Sequence, residues 1–160
     1  MRYLEGRDLS EALKYIEIAA ELALGAGCLR AKAGAIIVNN SKLVGQGYNS
    51  PPGDIILTSC LKDSLPKDFK SDRTCCMHAE ERAIINGLTF NHSKIEGSRL
   101  YFIRLDDSGH KAPAGKPYCT ICSKMALEVK ISEFVLMHKE GVAVYGTKEY
   151  NDLSFEYNGG

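Results

Sequence analysis

Apolar residues recur with a helical period between residues 9 and 24. Leu9, Leu13, Ile16, Ala20 and Leu24 share one face, whereas Glu11, Lys14, Glu17 and Glu21 are polar interruptions. The pattern predicts a helix opening at Asp8-Leu9-Ser10, with Asp8 or Ser10 as cap, and closing at Gly25 and Gly27. Its charges exclude a membrane span, and its acidic polar face excludes a basic helix lying on a membrane. The period then changes. Ala33-Gly34-Ala35-Ile36-Ile37-Val38 suits a buried strand, Asn39-Asn40-Ser41-Lys42 a turn, and Leu43 to Tyr48 a returning strand, which together make a β-hairpin. Residues 50 to 74 mix Pro51, Pro52, Gly53 and Pro66 with many charges and predict an exposed segment, of a length uncommon unless functional.

A second helix is predicted from His78 to Gly87, with Ala83, Ile84 and Ile85 against a sheet and Gly87 as its stop. Arg99 to Arg104 reads as a central strand. A loop over 105 to 118 leads to a helix from Cys119 to about Val129, with Met125, Ala126 and Val129 apolar, and Ile131 to Met137 is the next strand. Only His138-Lys139-Glu140-Gly141 separates it from Val142-Ala143-Val144-Tyr145. A parallel neighbour needs a crossover of about a dozen residues, so the last two strands form an antiparallel hairpin.

Two stretches carry chemistry: Cys75-Cys76-Met77-His78-Ala79-Glu80, and Lys116-Pro117-Tyr118-Cys119-Thr120-Ile121-Cys122. His78, Cys119 and Cys122 supply one imidazole and two thiols. These are three ligands for a tetrahedral zinc whose fourth position is left for water. Glu80, two residues beyond His78, is placed to move protons on that water as general acid and base. A purely structural zinc site needs a fourth protein ligand and has no use for such a carboxylate.

Composition narrows the class. The chain has 160 residues, read as one domain over 1–160, with 44% apolar and 25% charged residues. Twenty basic residues balance twenty acidic ones, and no lysine- or arginine-rich run occurs, so the electrostatic footprint of a nucleic-acid binder is missing. Six cysteines without a signal peptide point to a reducing cytoplasm, with thiols available for metal.

An H-x-E followed by C-x-x-C in this order resembles the zinc nucleobase deaminases, and the chain is identified as a member of the cytidine deaminase-like superfamily. In the family pattern Pro directly precedes the first Cys. Here Tyr118 intervenes after Pro117, which alters the pocket wall rather than the ligand set. The resemblance implies a three-layer α/β/α sandwich around a five-stranded mixed sheet. It implies zinc-dependent hydrolysis of a small cytosine nucleoside or nucleotide to the uracil product and ammonia, in a homo-oligomer. It also implies that Asn49 and the Ala79 amide seat the substrate.

Arg82 or Arg73 are candidates for one phosphate. Cys28, Cys60, Cys75 and Cys76 are candidates for a second zinc. The stretches Cys28-Leu29-Arg30, Gly47-Tyr48-Asn49 and Ser59-Cys60-Leu61-Lys62 resemble deoxycytidylate deaminases, whereas the final hairpin and the Thr147-to-Leu153 segment resemble free-nucleoside cytidine deaminases. Two other readings stay open, an editor of tRNA adenosine or single-stranded cytosine, and a non-catalytic zinc module.

Overall fold

The computed structural model describes residues 1–66 and 75–157. Among the described residues, four α-helices and seven strands follow in the order β1 (Arg2–Tyr3), α1 (Gly6–Leu24), β2 (Lys32–Asn39), β3 (Lys42–Tyr48), α2 (Ala79–Asn91), β4 (Arg99–Leu105), β5 (Lys111–Ala112), α3 (Thr120–Glu128), β6 (Glu133–Met137), β7 (Val142–Gly146) and α4 (Thr147–Glu156). The strands form one sheet in the order β1-β7-β6-β4-β2-β3, with β5 paired to β4. The five expected strands are β2, β3, β4, β6 and β7; β1 and β5, two residues each, extend the sheet to seven. β4 and β6 run parallel, with α3 crossing between them, and β6 and β7 form the expected antiparallel hairpin.

Alternation along the strands assigns the two faces. Ile36, Val38, Tyr101, Ile103 and Val135 bury against Ile16, Ala19 and Ala23 of α1. On the other side Ala35, Ile37, Leu100, Phe102 and Phe134 meet Ala83 and Ile84 of α2, Ala126 of α3 and Tyr150 of α4. The result is three layers, with α1 alone on one face. No described helix is long and apolar enough to cross a membrane.

α1 starts at Gly6 rather than beside Asp8, and no side chain caps it. Asp8 sits in its first turn and binds Arg99 Nη1 at 2.8 Å, a carboxylate where the helix dipole favours one. Ser10 Oγ donates back to the Gly6 carbonyl and is not a cap either. The β2–β3 turn holds Asn40 and Ser41 at φ 49° and 58°, the two positive values a tight hairpin needs.

α2 lies directly on β3 because β3 has no side chains at Gly45 and Gly47. A β-carbon at Gly45 would stand 2.4 Å from the Ala83 carbonyl oxygen, and one at Gly47 2.6 Å from that of Ala79. Gly87 does not stop α2, which runs on to Asn91; it abuts Ile95, and a β-carbon there would meet Ile95 Cδ1 at 2.8 Å. Ile85 faces outward, 46% exposed, rather than into the sheet.

Candidate active site

Two helix starts converge on the α2 side of the sheet. His78 is the residue before α2, in extended conformation, and its amide donates to Glu81 Oε2 at 2.6 Å. Cys119 holds the same position before α3, where its Sγ accepts from the Cys122 amide at 3.3 Å. A helix N-terminus favours negative charge, so each start suits a thiolate or carboxylate beside it.

His78 Nδ1 lies 3.2 Å from Cys119 Sγ and 3.3 Å from Cys122 Sγ, and the two sulfurs are 2.8 Å apart. Among the described residues these three form the one group of possible metal ligands gathered within 4.8 Å. Their protonation preferences are strongly displaced. Cys119 is pulled down to about 4, chiefly by the hydrogen bond from Cys122 and then by His78. Cys122 is pushed up by the same shared proton and by burial. His78 rises to about 9 because it bonds Cys119. A half-buried imidazole and two buried thiols sharing protons at this separation will exchange them for a dication. The donor set fits zinc, with a fourth tetrahedral position open.

Glu80, the second residue of α2, is 5% exposed and lines the same pocket. Burial pushes its carboxyl up to about 7. α4 packs behind the site: Ser123 Oγ donates to Asn151 Oδ1 at 2.9 Å, and Tyr150 stacks on Phe134 with centroids 4.0 Å apart. Asn49 and Ala79 also line the pocket. The Asn49 side chain accepts from the Ala33 amide at 2.8 Å and donates to the Ala31 carbonyl at 2.9 Å. These bonds lock its amide in place and leave one N–H and part of the oxygen's accepting capacity.

Arg82 does not serve as a phosphate ligand. Its guanidinium binds Asp54 at 3.0 Å and the Pro51 carbonyl at 2.7 Å, and lies 5.3 Å over the Tyr48 ring, holding the 50–54 segment to α2. Arg73 lies outside the described residues. Cys28, Cys60, Cys75 and Cys76 share the pocket wall, and the sulfurs of Cys75 and Cys76 are 3.8 Å apart, but the four do not gather into a second ligand group of the catalytic kind.

The sequence reading missed Arg30, Phe102 and Arg104 as pocket walls. Strand alternation carried the signal for the last two, since Leu100, Phe102 and Arg104 must face the same way.

A His/Cys/Cys cluster with buried thiols and an adjoining buried carboxyl, built on two helix starts of a three-layer α/β/α domain, define a zinc-site protein of the nucleobase deaminase class. A family model for the cytidine and deoxycytidylate deaminase zinc-binding region matches residues 9–138, and the chain belongs to that family. It is 28% identical over 122 residues to a deoxycytidylate deaminase of Saccharomyces cerevisiae, covering 73% of this chain and 32% of that one. It is 32% identical over 98 residues to a deoxycytidylate deaminase of Mycobacterium phage D29, covering 56% of this chain and 74% of that one. The chain thus spans about a third of the yeast relative. Among solved structures, the dCMP deaminase of cyanophage S-TIM5 in complex with dCMP and dUMP superposes with a TM-score of 0.57 at 23% identity, covering 82% of each chain. A cytidine deaminase from Burkholderia pseudomallei gives the same TM-score at 18% identity, covering 86% of this chain and 94% of that one.

Proposed function

We propose that this protein is a hydrolase that deaminates a cytosine mononucleotide, dCMP before free deoxycytidine, to the uracil product and ammonia. The observation that carries the reading is a buried Glu80 carboxyl lining one pocket with His78, which in turn gathers with Cys119 and Cys122. Zinc held by those three supplies a Lewis acid that lowers the pKa of the attacking water.

The rest is proton traffic and positioning by the chain itself. As the water oxygen bonds to C4 of the cytosine, Glu80 takes a proton from it and delivers one to ring N3. When the C4–N bond breaks, Glu80 takes the remaining proton from the C4 hydroxyl, which becomes the carbonyl, and passes it to the departing amine, which leaves as ammonia. A carboxyl with a pKa near 7 is matched to both directions of transfer at neutral pH. The Ala79 amide, at the first helical position, donates to the C2 carbonyl oxygen. Asn49, clamped by two backbone bonds, offers its remaining N–H to the sugar or base.

Arg104 lines the same pocket and supplies positive charge for a 5′-phosphate, whereas Arg30, also on the wall, is already paired with Asp63 at 2.5 Å. That charge, the two relatives named for deoxycytidylate, and the dCMP complex of the phage structure support a nucleotide over a nucleoside. We also expect a homo-oligomer in the cytoplasm. Ile85, Leu88 and Phe90 on the outer side of α2 are 46%, 45% and 73% exposed and supply apolar surface for a second copy. Ammonia release should be compared for cytidine, deoxycytidine, CMP, dCMP, a cytosine-containing single strand and tRNA. Fastest turnover of dCMP supports the reading, and faster turnover of either polymer at physiological salt replaces it with an editing enzyme.

A further inference from the structure

We infer that Tyr118 is the aromatic wall on which the pyrimidine ring stacks, and that Tyr157 braces it from the end of α4. The inference deepens the proposed function and rests on its pyrimidine substrate. Tyr118 immediately precedes the buried Cys119, so its Cα stands one peptide, about 3.8 Å, from that of a metal-ligand candidate. Pro117 on its other side has a fixed φ, which limits how far this corner can swing. The ring is therefore placed by the same backbone that places the thiol. It lines the pocket together with Glu80 and Phe102.

Its exposure is what asks for a partner. Glu80, Cys119 and Phe102 around it are 5%, 6% and 8% exposed, whereas Tyr118 is 48% exposed. A phenol half open to water beside buried neighbours offers a flat apolar face that a planar base can cover. Tyr157, which does not line the pocket, contacts the ring at a centroid separation of 5.8 Å and an interplanar angle of 47°. Tyr157 directly follows α4, whose Tyr150 packs under the site, so the brace is anchored to the core. Proline alone ahead of the first cysteine would present no comparable plane.

The test is calorimetric binding of dUMP, which is not consumed, to the zinc-loaded wild type and to Tyr118→Phe, Tyr118→Leu, Tyr118→Ala and Tyr157→Ala, with zinc content measured for each. Stacking predicts that Tyr118→Phe stays within about 3-fold of wild type. Tyr118→Leu and Tyr118→Ala should weaken binding roughly 10–100-fold while retaining zinc. Tyr157→Ala should weaken it by a smaller factor. Leu keeps an apolar side chain, so it reports on the ring even if Ala does not fold. Binding by zinc-loaded Tyr118→Leu as tight as wild type overturns the inference, and so does a Phe variant as weak as Leu.

Ammonia release from dCMP is measured alongside. Binding of dUMP without any release overturns the deamination reading, and the variant series still decides the stacking. A wild type that binds no dUMP overturns the stacking directly.

Discussion

His78 Nδ1 and Cys119 Sγ stand 3.2 Å apart across 41 residues of sequence, each on the residue before a helix. Both cap the helix they precede, and both belong to a cluster in which thiols and imidazole lie within 2.8–3.3 Å of one another. Removing one of three donors leaves two, which do not hold zinc tightly. Cys119→Ala should therefore lose metal and ammonia release together, and elemental analysis checks it. Zinc unchanged in that variant would reassign the ligands. One zinc per wild-type chain is expected; two would direct attention to Cys28, Cys60, Cys75 and Cys76.

Glu80→Gln separates chemistry from metal retention. The change is nearly isosteric and Glu80 is not among the donors, so zinc and melting temperature should persist. Turnover should fall roughly 10²–10⁴-fold, the usual worth of a placed acid–base group. Activity within a few-fold of wild type would remove Glu80 from the reaction.

Arg104 lines the pocket from the exposed end of β4. A charge-assisted bond to a phosphate is worth about 1.5–3 kcal/mol, so Arg104→Ala should raise the KM for dCMP roughly 10–100-fold. Deoxycytidine, which has no phosphate to lose, should be affected by less than a few-fold. Steady-state kinetics on both substrates checks this, and an equal effect on the two would take Arg104 off the phosphate.

The pH dependence of stability can be read after stripping the metal with a chelator. Glu80 titrates near 7 when folded, against 4.5 as its ordinary value, because burial disfavours its charge. Below pH 4.5 it is protonated in both states and contributes no pH slope. As pH rises from 4.5 to 7 the unfolded chain ionises first, so folded stability falls, by about 3 kcal/mol once pH exceeds 7. His78 and Cys119 titrate in the same window, so the Glu80 share is the difference between wild type and Glu80→Gln in the stability change from pH 5 to pH 8 in urea melts, wild type losing more. An equal loss in the variant would place the titration elsewhere.

Legibility followed the reach of the interactions. The β2–β3 turn depends on near neighbours and could be read directly, as could Ile16 and Ala20 on α1. Leu13 and Leu24 from the same predicted face are exposed, and Ala12, Ala19 and Ala23 are buried instead. The start of α1 could not, because Asp8 is committed to Arg99, 91 residues away. Gly87 looks like a helix stop by local propensity, but Ile95 packs on it and the helix continues. Arg82 sits on a helix surface, and its partners Asp54 and the Pro51 carbonyl come from a stretch without periodicity. β5 exists through its pairing with Arg104 and Leu105 and has no pattern of its own. The metal-ligand candidates were readable because few residue types bind zinc and their short spacings are restrictive. The pocket walls come from separate segments, and their meeting is visible in three dimensions alone.

The parallel β4–β6 pair sets an order of events as the chain folds. Hairpins β2–β3 and β6–β7 close over a few residues and form quickly. β4 can join β6 after the 105–118 loop and α3 have been folded back across the sheet, which requires a larger loss of chain entropy. Cys122 rides on that returning helix, so the ligand set is completed by the slower closure. On this topology a metal at His78, Cys119 and Cys122 would close on a nearly finished sheet, as a latch rather than a seed.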